Sequence, residues 1–149
     1  MLTLVSMSTT SQLRLTRQIA ADPTSTALLL AGPTALDLWP GVRRIGNVDG
    51  GIRVEAKIAR KKADALVRAE APRRLPTSFV TNFSITVANG AVPDVEALLT
   101  LEYADRGGEV ATQAVLELSA SESVEAFKDG AKGFLENLAK AAEKRARAA

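Results

Sequence analysis

A chain of 149 residues that is 46% hydrophobic and 24% charged has the size and composition of one soluble globular domain with its own core. Its formal net charge of +2 is too balanced to indicate a nucleic-acid or membrane surface by itself. The chain has no Cys and no His, which excludes a thiol nucleophile, a Ser–His dyad, the usual structural zinc site, a haem histidine ligand and any disulfide. We therefore expect no metal and no cofactor, and the lack of disulfides fits a cytoplasmic location.

The first ten residues carry a short apolar patch formed by Leu2, Leu4 and Val5. This patch is far too short to span a bilayer, and it lacks both the basic start and the long apolar core of a signal peptide. We expect residues 1–10 to be a loose, non-targeting tail and residues 11–149 to form a single domain.

Apolar and polar residues alternate from Leu13 to Ala21, which predicts a half-buried strand. Arg17 falls on the apolar side of this strand, where it either enters a cavity or extends its head to water at the sheet rim. Asp22-Pro23 then predicts a helix start, and Gly32-Pro33 predicts its end. A second, shorter helix is expected from Ala35 to Trp39.

The middle of the chain is dominated by strand patterns. Arg43 to Val48 leads into the hairpin turn Asp49-Gly50-Gly51, and Ile52 to Ile58 alternates on the way out. Arg60 to Ala71 is ambiguous, because its Ala, Lys, Arg, Leu and Glu content favours a helix. We favour the alternative, a turn at residues 60–64 followed by a strand at residues 65–71, because clear strands flank it.

Three further strands follow, each with one apolar face: Ser78 to Val87, Val95 to Tyr103 and Val110 to Leu118. Asn89-Gly90 separates the first two, and a turn at Asp105 to Gly108 separates the last two. Because these connections are short, we expect neighbouring strands to pair in sequence as an antiparallel meander.

The last stretch, Glu122 to Arg147, predicts one long amphipathic helix. Charged residues such as Glu136 and Glu143 lie on its solvent-facing side with basic partners at i,i+4 spacing. Ser119 or Ser121 is expected to cap its start. Its dry face carries Val124, Phe127, Ala131, Phe134, Leu138 and Ala141. A helix and an antiparallel sheet that each have one apolar face cover each other, so the fold class is a two-layer α+β domain.

Several short stretches resemble the START-related helix-grip superfamily, which includes polyketide cyclase/dehydrase, lipid-transport and coenzyme Q-binding proteins. They are residues 21–23 at the first helix, residues 38–44 entering the second strand, the hairpin 49–51 and residues 71–75 at a strand end. The resemblance implies a curved seven-stranded antiparallel sheet gripping the C-terminal helix, with an apolar cavity between them. The chain departs from the family in having no His and a single Tyr, so it lacks the residues for His-dependent cyclase or hydrolase chemistry.

Inward-facing residues of the sheet and helix are the candidate ligand contacts. They are Arg17, Trp39, Val54, Phe79, Thr81, Phe83, Leu99, Tyr103, Thr112, Phe127, Gly130, Ala131 and Phe134. Such residues either line an apolar site with a few placed polar groups or form a plain core. Several other inward positions are alanine, which leaves volume that a packed core normally fills. Arg17, Thr81, Tyr103 and Thr112 are the candidates for orienting a polar group of the ligand, Arg17 through its rigid fork of donors.

Gly130 and Gly133 are unusual inside a helix, since each costs about 1 kcal/mol relative to Ala. One explanation is that they let the helix flatten or bend where a ligand or strand comes close. The other is tight packing of the helix on the sheet. The sequence does not choose between the two.

The leading hypothesis for function is non-catalytic binding or transport of a hydrophobic small molecule, such as a lipid, polyketide or quinone. The alternatives are a cyclase- or aromatase-like enzyme that uses Tyr103 or Arg17 with water, and a ligand-free interaction module. The absence of inward-facing Asp or Glu in the strands favours a binder over an enzyme. The basic runs lack interleaved aromatics, so we expect no nucleic-acid partner and no stable membrane insertion; a homodimer is compatible with the sequence.

Overall fold

The computed structural model describes residues 11–31, 33–48, 51–58, 61–70, 72–87, 94–120 and 124–148. Its strands are β1 (Ser11–Ile19), β2 (Val42–Val48), β3 (Gly51–Ile58), β4 (Lys61–Ala69), β5 (Arg73–Arg74), β6 (Ser78–Val87), β7 (Val95–Arg106) and β8 (Glu109–Ala120). Its helices are α1 (Pro23–Leu28), a 3₁₀ helix (Pro33–Leu38), a 3₁₀ turn (Glu125–Phe127) and α2 (Lys128–Ala148). The predicted α+β class and element order are confirmed.

The strands form one antiparallel sheet in the order β1-β8-β7-β6-β4-β3-β2, with the two-residue β5 beside β6. From β2 to β8 the long strands pair in sequence, which confirms the predicted meander. The first strand, β1, forms the other edge of the sheet and pairs with β8. In this pairing Leu13 lies opposite Leu118 and Leu15 opposite Leu116. The sheet thus has seven long strands and one short strand that the sequence did not predict.

Strand alternation assigns one face of the sheet to the core. In β7 the side chains of Val95, Ala97, Leu99 and Leu101 are buried, and in β8 those of Thr112, Ala114, Leu116 and Leu118 are buried. Helix α2 covers this face with a buried row that includes Ala131, Phe134, Leu135, Leu138 and Ala142. Each layer removes the other's apolar surface from water, which is the main stabilising term in a domain of this type.

Several boundaries differ from the sequence prediction. The turn expected at residues 60–64 is wrong, because β4 already begins at Lys61; the choice of strand over helix is confirmed. Asp105 and Arg106 extend β7, and the turn is confined to Gly107 and Gly108, whose positive φ angles of 61° and 90° suit glycine. The Asp49-Gly50 and Asn89-Gly90 turns lie outside the described residues.

The ends of α2 also differ from expectation. Ser119 pairs within β8, so its predicted role as a helix cap is wrong, and Ser121 lies outside the described residues. The helix charges are not only solvated: the Glu136 carboxylate accepts from Arg17 Nε at 2.7 Å, and the Glu143 carboxylate accepts from the Ala20 backbone N–H at 3.0 Å. Through these contacts α2 is fastened along β1 at the sheet edge.

The predicted start of α1 is confirmed at Asp22. Its carboxylate accepts from the Ser25 backbone N–H at 3.0 Å and from the Ser25 hydroxyl at 2.7 Å, while Pro23 occupies the first turn. The hydrogen bond from the Ser25 side chain, helped by that from the Ser25 N–H and opposed by partial burial, lowers the Asp22 pKa below its ordinary value of 3.8.

Asp22→Ala is therefore expected to lower the free energy of unfolding by about 1 kcal/mol at neutral pH. Because the folded-state pKa is lowered, the charge contribution is complete well above pH 3.8 and is lost as the pH falls toward the folded-state value. Urea unfolding of wild type, Asp22→Ala and Asp22→Asn across this range measures the effect. A stability difference between wild type and Asp22→Asn that grows on acidification would contradict it.

Candidate functional site

Trp39 is the centre of the candidate site. It follows the 3₁₀ helix and packs between the sheet and α2, with its ring centroid 5.3 Å from that of Phe134 and 6.1 Å from that of Phe83. Phe83 and Phe134 are 6.3 Å apart, so the three rings form one aromatic cluster. Tilted and edge-on contacts of this kind are favourable for aromatic rings and hold their relative positions.

A first apolar cavity, with a volume of about 60 Å³, lies beside Trp39. Its walls come from the segment after β1, from β3, β4, β6 and β7, and from α2. The described residues that line it are Leu30, Ala35, Leu36, Trp39, Ile52, Val67, Ala69, Glu70, Thr81, Phe83, Leu99 and Phe134. The cavity therefore lies between the sheet and the C-terminal helix, as the resemblance implied.

A second apolar cavity of about 30 Å³ adjoins the first. Leu36, Trp39, Val67 and Phe83 line both and form the partition between them. The remaining described residues around the second cavity are Val42, Val54, Ala56, Ala65, Ile85 and Phe127. The two aromatic rings among these four residues, Trp39 and Phe83, therefore face both spaces.

Gly130 and Gly133 of α2 pack closely against the segment that carries Trp39. A Cβ on Gly130 would lie 2.6 Å from Trp39 Nε1, and a Cβ on Gly133 would overlap the Pro40 ring. Both distances are far below an ordinary contact, so the close approach needs residues without a side chain. The glycines thus serve tight packing, but against Trp39-Pro40 rather than against a strand.

The cavity carries few polar groups. The hydroxyl of Thr81, a residue that is 7% exposed and lines the first cavity, donates to the Glu70 backbone carbonyl at 2.7 Å. Asn137 of α2 donates to the Leu38 carbonyl at 2.8 Å, which ties the helix to the end of the 3₁₀ helix. The site is therefore an apolar space whose described lining includes two polar residues, Thr81 and Glu70.

The structure brings most of the predicted ligand contacts together. Trp39, Thr81, Phe83, Leu99 and Phe134 line the first cavity, and Val54 and Phe127 line the second with Trp39 and Phe83. Their contact with a ligand stays a prediction.

Six predicted residues are not among the described residues that line either cavity: Arg17, Phe79, Tyr103, Thr112, Gly130 and Ala131. Arg17 is paired with Glu136, Tyr103 is 57% exposed, and the buried Thr112 hydroxyl donates to the Ala21 carbonyl at 2.7 Å. Phe79 and Ala131 pack in or against the core. These contacts give each residue a structural partner or place it outside the apolar space.

Sequence reasoning missed the wall formed by Leu30, Ala35 and Leu36. The short helices carry too few residues for a periodic pattern to show which side faces inward. It also left out Ile52, Val67 and Ala69, although their alternation had placed them on the buried face. Glu70 was missed because the alternation in the predicted strand 65–71 places it on the outward face.

A wider groove of about 710 Å³ lies on the outer side of Trp39-Pro40. Its described lining includes Lys57, Glu125 and Asp129 beside Pro40, Gly41, Ala126 and Gly130. This groove is open and charged, whereas the two cavities beside Trp39 are apolar. The cavities are the better match to a small hydrophobic molecule.

The curved antiparallel sheet, the long C-terminal helix across it and the apolar space between them define the helix-grip fold of the START-related superfamily. The resemblance inferred from the sequence is thus confirmed at the level of the fold. Neither protein-family models nor curated proteins give a match to the sequence.

Solved structures with the same fold are similar over nearly the whole chain. The Zhui aromatase/cyclase from Streptomyces sp. R1128 is 15% identical, with a TM-score of 0.62 over 91% of this chain and 95% of that one. Ara h 8.0201 is 13% identical, with a TM-score of 0.60 over 91% and 99% of the two chains. A START superfamily protein from Mycobacterium smegmatis is 17% identical, with a TM-score of 0.55 over 91% and 97%.

The described residues also bear on membrane spanning and metal binding. No described helix has both the length and the hydrophobicity needed to cross a bilayer. Within the same residues, no group of three or more His, Cys, Asp or Glu side chains is placed to hold a metal ion.

Proposed function

We propose that this protein binds a small hydrophobic molecule in the joined space of the two cavities beside Trp39. The observation that carries the proposal is the apolar space between sheet and helix, which close packing of a plain core would normally fill. Its described lining is aliphatic and aromatic with two polar residues, Thr81 and Glu70, which is the usual composition of a small-molecule site.

The size of the space limits the ligand. Small-molecule sites usually have volumes of about 300–1,000 Å³, and the two cavities measure about 60 and 30 Å³. A lipid, polyketide or quinone therefore requires the space to open, and the partition formed by Trp39 and Phe83 is the part whose movement joins the cavities. A compact ring compound requires the least opening.

Binding without chemistry is favoured over a cyclase-like reaction. Arg17 and Tyr103, the residues considered for catalysis, are respectively paired with Glu136 and exposed to solvent. The similarity to an aromatase/cyclase extends to the fold and carries no catalytic residue to this site.

The fluorescence of Trp39 can report ligand binding directly, because Trp39 is the only tryptophan in the chain and lines both cavities. Titration with cyclohexanol, which does not absorb where tryptophan does, is expected to change the Trp39 emission with a saturable dependence. Native mass spectrometry of the same sample should show the added mass.

Ala69→Leu tests the position of the site, because Ala69 lines the first cavity and a leucine adds bulk at that wall. We expect it to weaken binding at least about tenfold, the usual effect of losing about 1.4 kcal/mol of contact. Ala146→Leu, on the exposed end of α2, is the matched control and should change the Kd less than twofold. Unsaturable emission with a bare native mass, or equal effects of the two variants, would refute the proposed site.

A further inference from the structure

The polar residues that line the first cavity restrict the chemical class of the ligand it could take. Thr81 and Glu70 are the polar residues among the described lining: Thr81 lies within β6 and Glu70 directly follows the neighbouring strand β4, where its N–H donates to the Asn82 carbonyl at 3.0 Å. These backbone contacts fix the positions of both residues relative to the cavity wall.

The Thr81 hydroxyl has a single proton, and that proton is committed to the Glu70 carbonyl at 2.7 Å. A hydroxyl that donates elsewhere keeps only its lone pairs for a ligand. The Glu70 carbonyl likewise offers only lone pairs. Thr81 and the Glu70 carbonyl therefore present acceptors to the cavity.

The charge of the described lining residues also disfavours an anionic ligand. Glu70 is the one ionisable residue among the described residues that line the cavity, and its charge is negative. The Trp39 Nε1–H, the other side-chain donor of the wall, lies against Gly130, which is not among those residues. Among the described lining residues, a carboxylate or phosphate would meet acceptors and no cation, at the cost of burying an unpaired anion.

We infer that the cavity selects an apolar molecule that carries a hydrogen-bond donor, such as an alcohol or amine, and rejects an anionic one. The inference rests on the proposed function, because it concerns the ligand of the same cavity. The donor of the ligand would be accepted by Thr81 Oγ1 while its apolar body contacts the aromatic cluster. An ionised fatty acid is excluded by the same argument.

Three probes of matched size separate the possibilities: cyclohexanol, methylcyclohexane and cyclohexanecarboxylate. Wild-type protein should bind cyclohexanol at least about 100-fold more tightly than the carboxylate, since the buried anion has no partner. Thr81→Val, which keeps the shape and removes the hydroxyl, should lower the preference for cyclohexanol over methylcyclohexane about tenfold. Thr81→Ser, which keeps the hydroxyl, should retain the preference.

Comparing two ligands within each variant cancels any change in overall stability caused by the substitution. Carboxylate binding as tight as that of the alcohol, or a preference unchanged by Thr81→Val, would overturn the inference while leaving the proposed function intact. Failure of all three probes to bind wild-type protein would overturn both.

Discussion

Gly133→Ala is expected to destabilise the protein by about 2 kcal/mol, the typical cost of overpacking a close contact. Helix propensity alone predicts the opposite, a gain of about 1 kcal/mol for replacing glycine by alanine inside a helix. The contact decides the sign, because the new Cβ would overlap Cγ of Pro40 and lie 3.1 Å from its Cδ. Urea unfolding followed by circular dichroism measures the difference.

Pro40→Ala provides an internal test of this explanation. It removes the two ring atoms that the Gly133 Cβ would meet most closely and leaves Pro40 Cβ, 3.6 Å away, at an ordinary distance. In this background Gly133→Ala should be neutral or stabilising by up to about 1 kcal/mol, as helix propensity predicts.

Gly46→Ala is the matched control, because a Cβ at this position in β2 meets nothing within 4 Å. Its effect should stay within about 0.5 kcal/mol, as for other surface changes. If Gly133→Ala is equally destabilising with and without the Pro40 ring, the contact is not the reason for this glycine.

The helix glycines illustrate how far sequence reasoning extends. Their position in an amphipathic helix marks them as costly, and intrinsic propensity gives the size of the cost. Their partner could not be identified, since Trp39-Pro40 is remote in sequence and no periodic pattern connects the two segments. Of the two alternatives considered, a helix that bends near a ligand or strand and tight packing on the sheet, the second gives the right kind of contact but names the sheet instead of the segment Trp39-Pro40.

The sheet was predictable because its signals are local. Alternation over ten residues in β6 and turn residues between strands define both the buried face and the order of pairing. The contacts of Arg17 were not predictable, because its partner Glu136 is 119 residues away. Periodicity places Arg17 on the inner face, but only the path of α2 along β1 decides that it meets a carboxylate instead of a cavity.

The residues that line the cavities likewise differ in whether local patterns in the sequence predict them. Residues contributed by strands and α2, such as Phe83, Leu99 and Phe134, follow from periodicity. Leu30 and Leu36 come from short helical segments that lack enough turns for a pattern, so tertiary packing alone sets their direction. The inward-facing alanines indicate that some volume is left between the layers, but its size and position depend on both sets of residues together and are not predicted by periodicity.

Phe134→Ala is expected to have the largest effect on stability, a loss of about 3–5 kcal/mol. Phe134 is 4% exposed, contacts Trp39 and Phe83, and lines the first cavity. Removing its ring enlarges a space that already exists, so the lost contacts are not replaced by neighbouring side chains. The same enlargement should let an added ligand recover part of the stability.

Leu138→Ala is the comparison that connects this loss to the proposed site. Leu138 is fully buried on the same helix but is not among the residues lining either cavity, and its truncation should cost about 2–5 kcal/mol. Cyclohexanol at about ten times its Kd for Phe134→Ala should restore about 1.4 kcal/mol to that variant. At the same concentration, Leu138→Ala should gain no more than wild type does. A gain in Leu138→Ala that exceeds the wild-type gain and equals that of Phe134→Ala would show that the ligand enters any new void, which would contradict specific binding in the cavity beside Trp39.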